Sequence, residues 1–488
     1  MIEKTVFELS AEGRTGFQFP DLDVPSYELP QDFLRQQLPL PEMSEIDVVR
    51  HFTRISQKNY AVDIGLYPLG SCTMKYNPKI NEEMARLPGF ALTHPHQPIV
   101  TTQGNLFLMY TLQEWLKEIS GFAAVTLEPA AGAQGELVGA LIIRKYHHQN
   151  RQVGRKNILI PDSAHGTNPA TSSMVGFDVI SIPSDSRGNV SIEAIAPYCD
   201  DQLAGLMLTN PNTLGLFDEN VTKVIDMIHQ AGGLVYGDGA NMNALLGIVK
   251  PAELGIDIMH FNLHKTFSTP HGGGGPGSGP VGVTTTLKDF LPDPIVTVIE
   301  EGDEETPPLF GFSHPAQTIG QIKSFYGHFG VLIRAYTYIA MHSADGLRNI
   351  SEMAVLNANY LLSKVRQKYT LPYERQCMHE FVVEGVWDDV PGIHALDIAK
   401  RLMDFGYHPP TNYFPLIVHE ALMIEPTETE SKENLDAFAE TLNRIADEAR
   451  LNPELLHSAP HSTPVGRCDE LKAARDLVLC CWSDNLSE

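Results

Sequence analysis

Two residues of this chain are of types, and at a spacing, that could do chemistry together. Lys265 lies in Phe261-Asn262-Leu263-His264-Lys265-Thr266-Phe267, and Asp238 lies in Leu234-Val235-Tyr236-Gly237-Asp238-Gly239-Ala240, 27 positions earlier (265 less 238). An ammonium is costly to bury and lysine is ordinarily a surface residue. A lysine set between an apolar run and the stretch His271-Gly272-Gly273-Gly274-Gly275-Pro276-Gly277 therefore calls for a chemical reason. Schiff-base chemistry supplies it: the amine condenses with the aldehyde of pyridoxal 5'-phosphate, and the carboxylate keeps the pyridine nitrogen protonated so that the ring draws electrons. The glycine run itself is not a nucleotide loop, because no Gly-Lys-Ser/Thr ending or helix start follows it.

Three further stretches carry groups such a cofactor would need. Ala130-Ala131-Gly132-Ala133-Gln134-Gly135-Glu136 joins a strand to a helix beginning near Glu136. Its small residues let backbone N–H groups approach an anion at a helix N-terminus, so Gly132, Ala133 and Gln134 are candidate phosphate ligands. Asp162-Ser163-Ala164-His165-Gly166-Thr167-Asn168-Pro169 follows another strand; His165 could stack on a flat ring and move protons. Thr209-Asn210-Pro211-Asn212-Thr213 ends the next and offers hydroxyl and amide groups to a phenolate-like oxygen, with Thr209 and Asn210 as candidates and the choice among the four polar side chains open. Each motif alone has a plain explanation: a tight turn, a loop histidine, an Asn-Pro turn. Their convergence carries the reading.

These residues need a scaffold, and the pattern describes one. Short continuous apolar runs (Ala123–Leu127, Ile158–Ile160, Val179–Ile182, Gly205–Thr209, Leu234–Tyr236, Ile258–Phe261) alternate with helical stretches. That predicts an α/β fold with a mostly parallel central sheet covered on both faces, whose ligands bind at the carboxyl ends of the strands, where every motif above falls. Residues 1–100, rich in proline and turn signals, read as an extended N-terminal segment that wraps another domain or chain; 101–330 read as the large domain. A long helical region from roughly Gln317 to Gln367 leads into a smaller α+β domain over 331–488, with strands at Glu380–Val386 and Ala421–Glu425 and helices at Ala395–Phe405 and Lys432–Arg450.

Composition narrows the class. In 488 residues, 35 Lys+Arg against 60 Asp+Glu give a formal charge of -25, which argues against nucleic-acid or anionic-membrane partners. No apolar run approaches the ~20 residues of a membrane span and the start lacks a signal-peptide pattern, so the expectation is a cytoplasmic protein. Six cysteines without CxxC spacing predict neither a metal site nor a disulfide framework; Cys72, in a turn-rich stretch, is expected to border the site.

The order phosphate cup, stacking ring, oxygen partner, acid, lysine resembles the fold type I pyridoxal-phosphate enzymes, the aspartate-aminotransferase superfamily. Longer stretches resemble the glycine decarboxylase P-proteins: Pro68-Leu69-Gly70-Ser71-Cys72-Thr73-Met74-Lys75, Glu128 through Glu136, Ala164 through Pro169, Tyr236 through Ala244, His264-Lys265-Thr266-Phe267, Met423 through Glu428 and Ala459 through Val465. The resemblance spans about residues 60 to 475 and is to the carboxyl half of the long form, which in many bacteria is a separate subunit 2. It implies decarboxylation of glycine with Lys265, Asp238 and His165 as catalytic residues, and Ala240 and His264 beside the cofactor. It further implies transfer of the aminomethyl group to the lipoyl arm of an H-protein, and a homologous subunit 1 in an α2β2 heterotetramer. Two rivals remain: another type I decarboxylase or an aminotransferase, for which Arg467 could hold a substrate carboxylate, and a catalytically silent partner subunit, which retention of Lys265 and Asp238 disfavours.

Overall fold

A computed structural model describes residues 3–36, 38, 40–270 and 277–477. The glycine run at 272–275, and Cys480 and Cys481, lie outside the described residues.

The central sheet has seven strands: β1 (Ala124–Thr126), β2 (Asn157–Pro161), β3 (Asp178–Ile182), β4 (Leu203–Thr209), β5 (Leu234–Gly239), β6 (Ile258–Phe261) and β7 (Val281–Val283), in the spatial order β1-β7-β6-β5-β4-β2-β3. The six strands expected from the apolar runs are all present. The seventh, β7, is the sheet's one antiparallel member; it pairs with both β1 and β6 and was not expected. Because successive side chains point to opposite faces, continuous apolar strands need cover on both. Ile158, Ile160, Met207, Tyr236 and Ile258 form one core with the helix Gly132–Gln149. Leu159, Leu206, Leu208, Val235 and Phe261 form the other with the helices Gln103–Ser120 and Val221–Gln230.

The long helix runs Phe329–Val365, starting later than expected, and is broken at Ser343 (φ 56°, ψ -175°). Its first part packs on the large sheet's core, whereas Ala358, Leu361 and Val365 join a separate core around a three-stranded antiparallel sheet. That sheet comprises β10 (Phe381–Glu384), β11 (Thr411–Asn412) and β12 (Ala421–Ile424), in the order β10-β12-β11; before it in the chain comes a separate hairpin, β8 (Ile295–Glu300) and β9 (Leu309–Ser313), whose Val296 and Phe310 join the large sheet's core. Over the small sheet lies the helix Lys432–Leu451, whose Leu435, Phe438, Leu442, Ile445 and Ala449 recur at helical spacing and are buried; its N-cap Ser431 accepts the N–H of Asn434.

The first hundred residues split in behaviour. Leu69 bridges to Ile424 and so fastens residues 66–75 to the small sheet, at a place where only glycine fits next: a Cβ on Gly70 would overlap Met423 Cγ. The described residues between 17 and 40, by contrast, contribute nothing to the buried core. Phe19, Tyr27 and Phe33 are 87%, 84% and 83% exposed. The base of this excursion is pinned, since the Ala11 N–H donates to Glu42 O and the Glu42 N–H donates to Ser10 Oγ. Among the described residues no helix is long and apolar enough to cross a membrane.

Candidate active site

The carboxyl ends of β4 and β5, the loops after β2 and β6 and the N-terminus of the helix Gly132–Gln149 open onto one cavity of about 580 Å³. Lys265, just past β6, lines it together with His165, Thr209, Asp238 and His264. Among the described residues, no hydrogen bond or ion pair engages the Lys265 ammonium. The contrast is Lys75, buried to 2% exposure, whose Nζ donates to Glu428 Oε1 (2.8 Å), Tyr338 Oη (3.1 Å) and the carbonyl of Thr266. One lysine is thus fixed structurally beside the chain segment that presents the other to the cavity. A second cavity of about 380 Å³, near His94, Phe325 and His328, shares no wall with the first and holds no lysine or acid.

Asp238 is buried at the end of β5. Its Oδ1 accepts the Ala240 N–H (3.0 Å), Asn168 Nδ2 donates to Oδ2 (3.4 Å), and His260 Nε2 stands 3.5 Å from Oδ1. His260 is fully buried, is hydrogen-bonded through Nδ1 to Tyr236 Oη (2.5 Å), and is held neutral because burial lowers its pKa. Glu136 completes this wall; its carboxyl is pushed up to about 8, first by burial and then by the charge on Asp238. Asn168 and the neutral His260 flank the Asp238 carboxyl and fix its orientation.

At the helix N-terminus the cradle is built from close approach. A Cβ on Gly132 would lie 2.6 Å from Asn262 Oδ1, so the backbone there runs close against the Asn262 and His260 side chains. The N-cap Ala131 has no side chain to satisfy the first N–H groups, which leaves those at Gly132 and Ala133 directed at the cavity's end. The helix begins at Gly132, a turn earlier than the sequence suggested. His165 sits exposed at the mouth, its Nδ1 2.9 Å from Thr167 Oγ1 and its ring edge-on to Phe414. The buried Thr209 hydroxyl has no protein partner.

Most candidates converge on this cavity, as Gly132, Ala133, His165, Thr209, Asp238, Ala240, His264 and Lys265 all line it. Two do not. The Gln134 side chain accepts the Ala130 N–H and donates to Ile322 O; Asn210 accepts the Asp218 N–H. The remaining polar side chains of the Asn210–Thr213 turn line the wall but are engaged. Asn212 holds its own loop, accepting the N–H groups of Leu214 and Leu216, and Thr213 donates to Ser163 O. Arg467 is also committed elsewhere, to Asp397 Oδ1 (2.6 Å) and the carbonyls of Ala459 and Leu456.

The wall facing Lys265 from the small domain was not foreseen. Ser71 (φ 61°) and Thr73 (φ 49°) flank Cys72 in left-handed backbone, a conformation costing about 1 kcal/mol or more each. Two buried carboxyls hold that loop: Glu380 Oε2 accepts the Ser71 N–H (2.7 Å), and Glu425 accepts the N–H and hydroxyl of Thr73 and the amide of Asn241. Beside them His379 is buried with neither ring nitrogen hydrogen-bonded. His379 and Glu380 lie more than a hundred positions from Lys265 with no motif to flag them, whereas Ser71, Thr73 and Glu425 fall in stretches that carried the resemblance but had no role assigned to them. Cys72 does border the cavity, and burial raises its thiol pKa.

Residues 350–460 match the family model for the C-terminal domain of glycine dehydrogenase. The chain is 57% identical over 481 residues to the probable glycine dehydrogenase (decarboxylating) subunit 2 of Alkaliphilus oremlandii, covering 98% of each chain. It is 55% identical over 477 residues to that of Thermotoga maritima, covering 97% of this chain and 99% of the relative. Among solved structures it resembles an inhibitor-bound glycine decarboxylase (P-protein) with a TM-score of 0.73 at 21% identity, over 86% of this chain and 93% of that one. A Lactobacillus brevis glutamate decarboxylase matches with a TM-score of 0.63 at 15% identity, over 92% and 98%. The fold is that of the fold type I pyridoxal-phosphate enzymes.

Proposed function

The chain belongs to the glycine dehydrogenase (decarboxylating) subunit 2 family, and we propose that it is the subunit that holds pyridoxal 5'-phosphate at Lys265 for the decarboxylation of glycine. The observation that carries this reading is a lysine ammonium with no hydrogen-bond or ion-pair partner among the described residues, sharing one cavity with a buried carboxylate and a helix N-terminus that has no side-chain cap.

The residues fit the group. Lys265 would hold it by its amine, and the N–H groups of Gly132 and Ala133 would take the phosphate. The orphaned Thr209 hydroxyl would reach the phenolic oxygen, and His165 would cover the ring at the mouth. When bound, pyridoxal phosphate supplies an aldehyde for the substrate amine and a ring that accepts the electrons left when carbon dioxide departs. The chain's own contribution is electrostatic. Asp238, oriented by Asn168, would keep a proton on the pyridine nitrogen; Lys265 would accept and return protons at its Nζ; the walls would exclude solvent that could otherwise protonate the substrate carbon.

The aminomethyl group then passes to an oxidised lipoyl arm on an H-protein, and a homologous subunit 1 completes an α2β2 assembly. Support for a partner is the "subunit 2" of the relatives' names together with the bare apolar side chains of residues 17–40. The commitment of Arg467 to Asp397 removes the arginine on which an aminotransferase reading leaned. Borohydride reduction followed by peptide mapping tests the assignment: a pyridoxyl group on Lys265 is expected, and one on any other lysine overturns it.

A further inference from the structure

Glycine reaches the cavity with a carboxylate as well as an amine, and no arginine lines the cavity among the described residues; Lys265 is its one lysine there. The small-domain wall offers His379 and Glu380 instead. His379 is 2% exposed with both ring nitrogens unbonded, and its Nε2 stands 3.7 Å from Glu380 Oε1, beyond hydrogen-bond reach. Ser71 is the hydrogen-bond partner of the Glu380 carboxyl. Both residues line the cavity that Lys265 enters. Their position is fixed by a close approach: a Cβ on Gly215 would overlap the Glu380 carbonyl oxygen, and the Met378 N–H donates to Gly215 O (2.7 Å). Buried polar groups ordinarily find partners. An imidazole with neither nitrogen bonded, next to a carboxyl held only from the Ser71 side, therefore marks where a ligand's polar atoms go.

We propose that His379 and Glu380 receive the substrate carboxylate as a pair of uncharged hydrogen-bond donors, in place of a guanidinium; this rests on the reading of the cavity as a glycine decarboxylase site. Their charge state agrees. Glu380 is raised to about 8 by burial and by the neighbouring carboxyl of Glu425, so it carries a proton at neutral pH. His379 is lowered to about 3 by burial and by Lys265, so it is neutral with one N–H to give. The arrangement suits bond breaking at that carboxylate. Decarboxylation carries negative charge out of the carboxylate, so a fixed cation there would stabilise the ground state more than the transition state. Neutral donors orient the group and release it.

The test uses the holoenzyme assembled with its partner subunit, titrated with glycine and with methylamine, which has the amine but lacks the carboxylate, while cofactor absorbance is followed. Glu380→Ala and His379→Ala should each reduce the preference for glycine over methylamine by ~10-fold, the worth of one lost hydrogen bond, with methylamine affinity unchanged. Glu380→Gln, which keeps shape and an N–H donor, should retain most of the preference and serves as the control for folding. A wild-type preference in Glu380→Ala overturns the proposal. If neither glycine nor methylamine moves the absorbance of the unaltered enzyme, the cofactor reading itself fails.

Discussion

The carboxyl groups of Glu136 and Asp238 share one buried wall with His260, with their ligating atoms all within 4.8 Å of one another. Burial and the neighbouring Asp238 raise the Glu136 carboxyl to about 8, so Glu136 keeps its proton at neutral pH, whereas Asp238 has an N–H, an amide and an imidazole around it.

That division predicts asymmetric mutants. Asp238→Asn should retain cofactor, since the Lys265 and phosphate anchors remain, yet lose activity by a factor set by about 3 kcal/mol or more. Glu136→Gln replaces a protonated acid by its neutral isostere and should keep cofactor and most activity. Absorbance of the purified proteins and carbon dioxide released from labelled glycine measure both; near-normal turnover in Asp238→Asn contradicts the assigned role.

Glycine binding should weaken on the alkaline side of neutrality. Glu380, protonated at low pH, ionises as pH rises through about 8, and a carboxylate then faces the substrate's own. The groups around it are Glu425 just past β12, His379 on its own segment, Lys265 after β6 and Cys72 in the Ser71–Thr73 loop; of the acids, Glu425 is raised too, which keeps the direction the same. The apparent Kd for glycine, read by absorbance between about pH 6.5 and 9, a window that brackets both titrations, should rise more steeply in the unaltered enzyme than in Glu380→Gln, where Glu425 alone still ionises.

Lys75 and Glu428 form a buried ion pair beneath the active-site lysine. Glu428→Leu strands an ammonium without its counter-charge and should cost about 3–5 kcal/mol, lowering Tm sharply, whereas borohydride labelling should never reach Lys75 in the folded enzyme. Calorimetry and peptide mapping check the two halves.

Gly215→Ala should cost ~1–3 kcal/mol by overpacking, because its φ of +76° and the Glu380 carbonyl both reject a Cβ. The displaced Glu380 should also lower glycine affinity. A thermal melt together with a glycine titration separates a loss of stability from a loss of binding.

Lys265 and Asp238 were legible because strand ends in a parallel sheet place residues of known spacing at one edge, so the order of motifs along the chain becomes their arrangement around the cavity. The apolar strands were legible through their continuous hydrophobic runs, and β2, β4, β5 and β6 are buried nearly throughout. What escaped was non-local or backbone-determined. β7 is three residues long and enters antiparallel; the break at Ser343 lies inside an otherwise regular helical pattern; His379, Glu380 and Glu425 reach the site only through the packing of the small domain. Glu136 and His260 sat in view, on a helix face and within a strand, but only burial turns an acid and an imidazole there into partners of Asp238. Gln134 and Asn210 were misleading for the converse reason, since side chains in tight turns are drawn to the turn's own backbone.

The excursion over residues 17–40 makes this chain dependent on company. A polypeptide released from the ribosome with so many uncovered aromatic and aliphatic side chains is a client for chaperones and a target for proteases until a second surface covers them. The amount of this subunit that survives in a cell would then be set by the supply of whatever protein provides that surface rather than by its own rate of synthesis, and overproducing it alone would yield inclusion bodies where paired production yields enzyme.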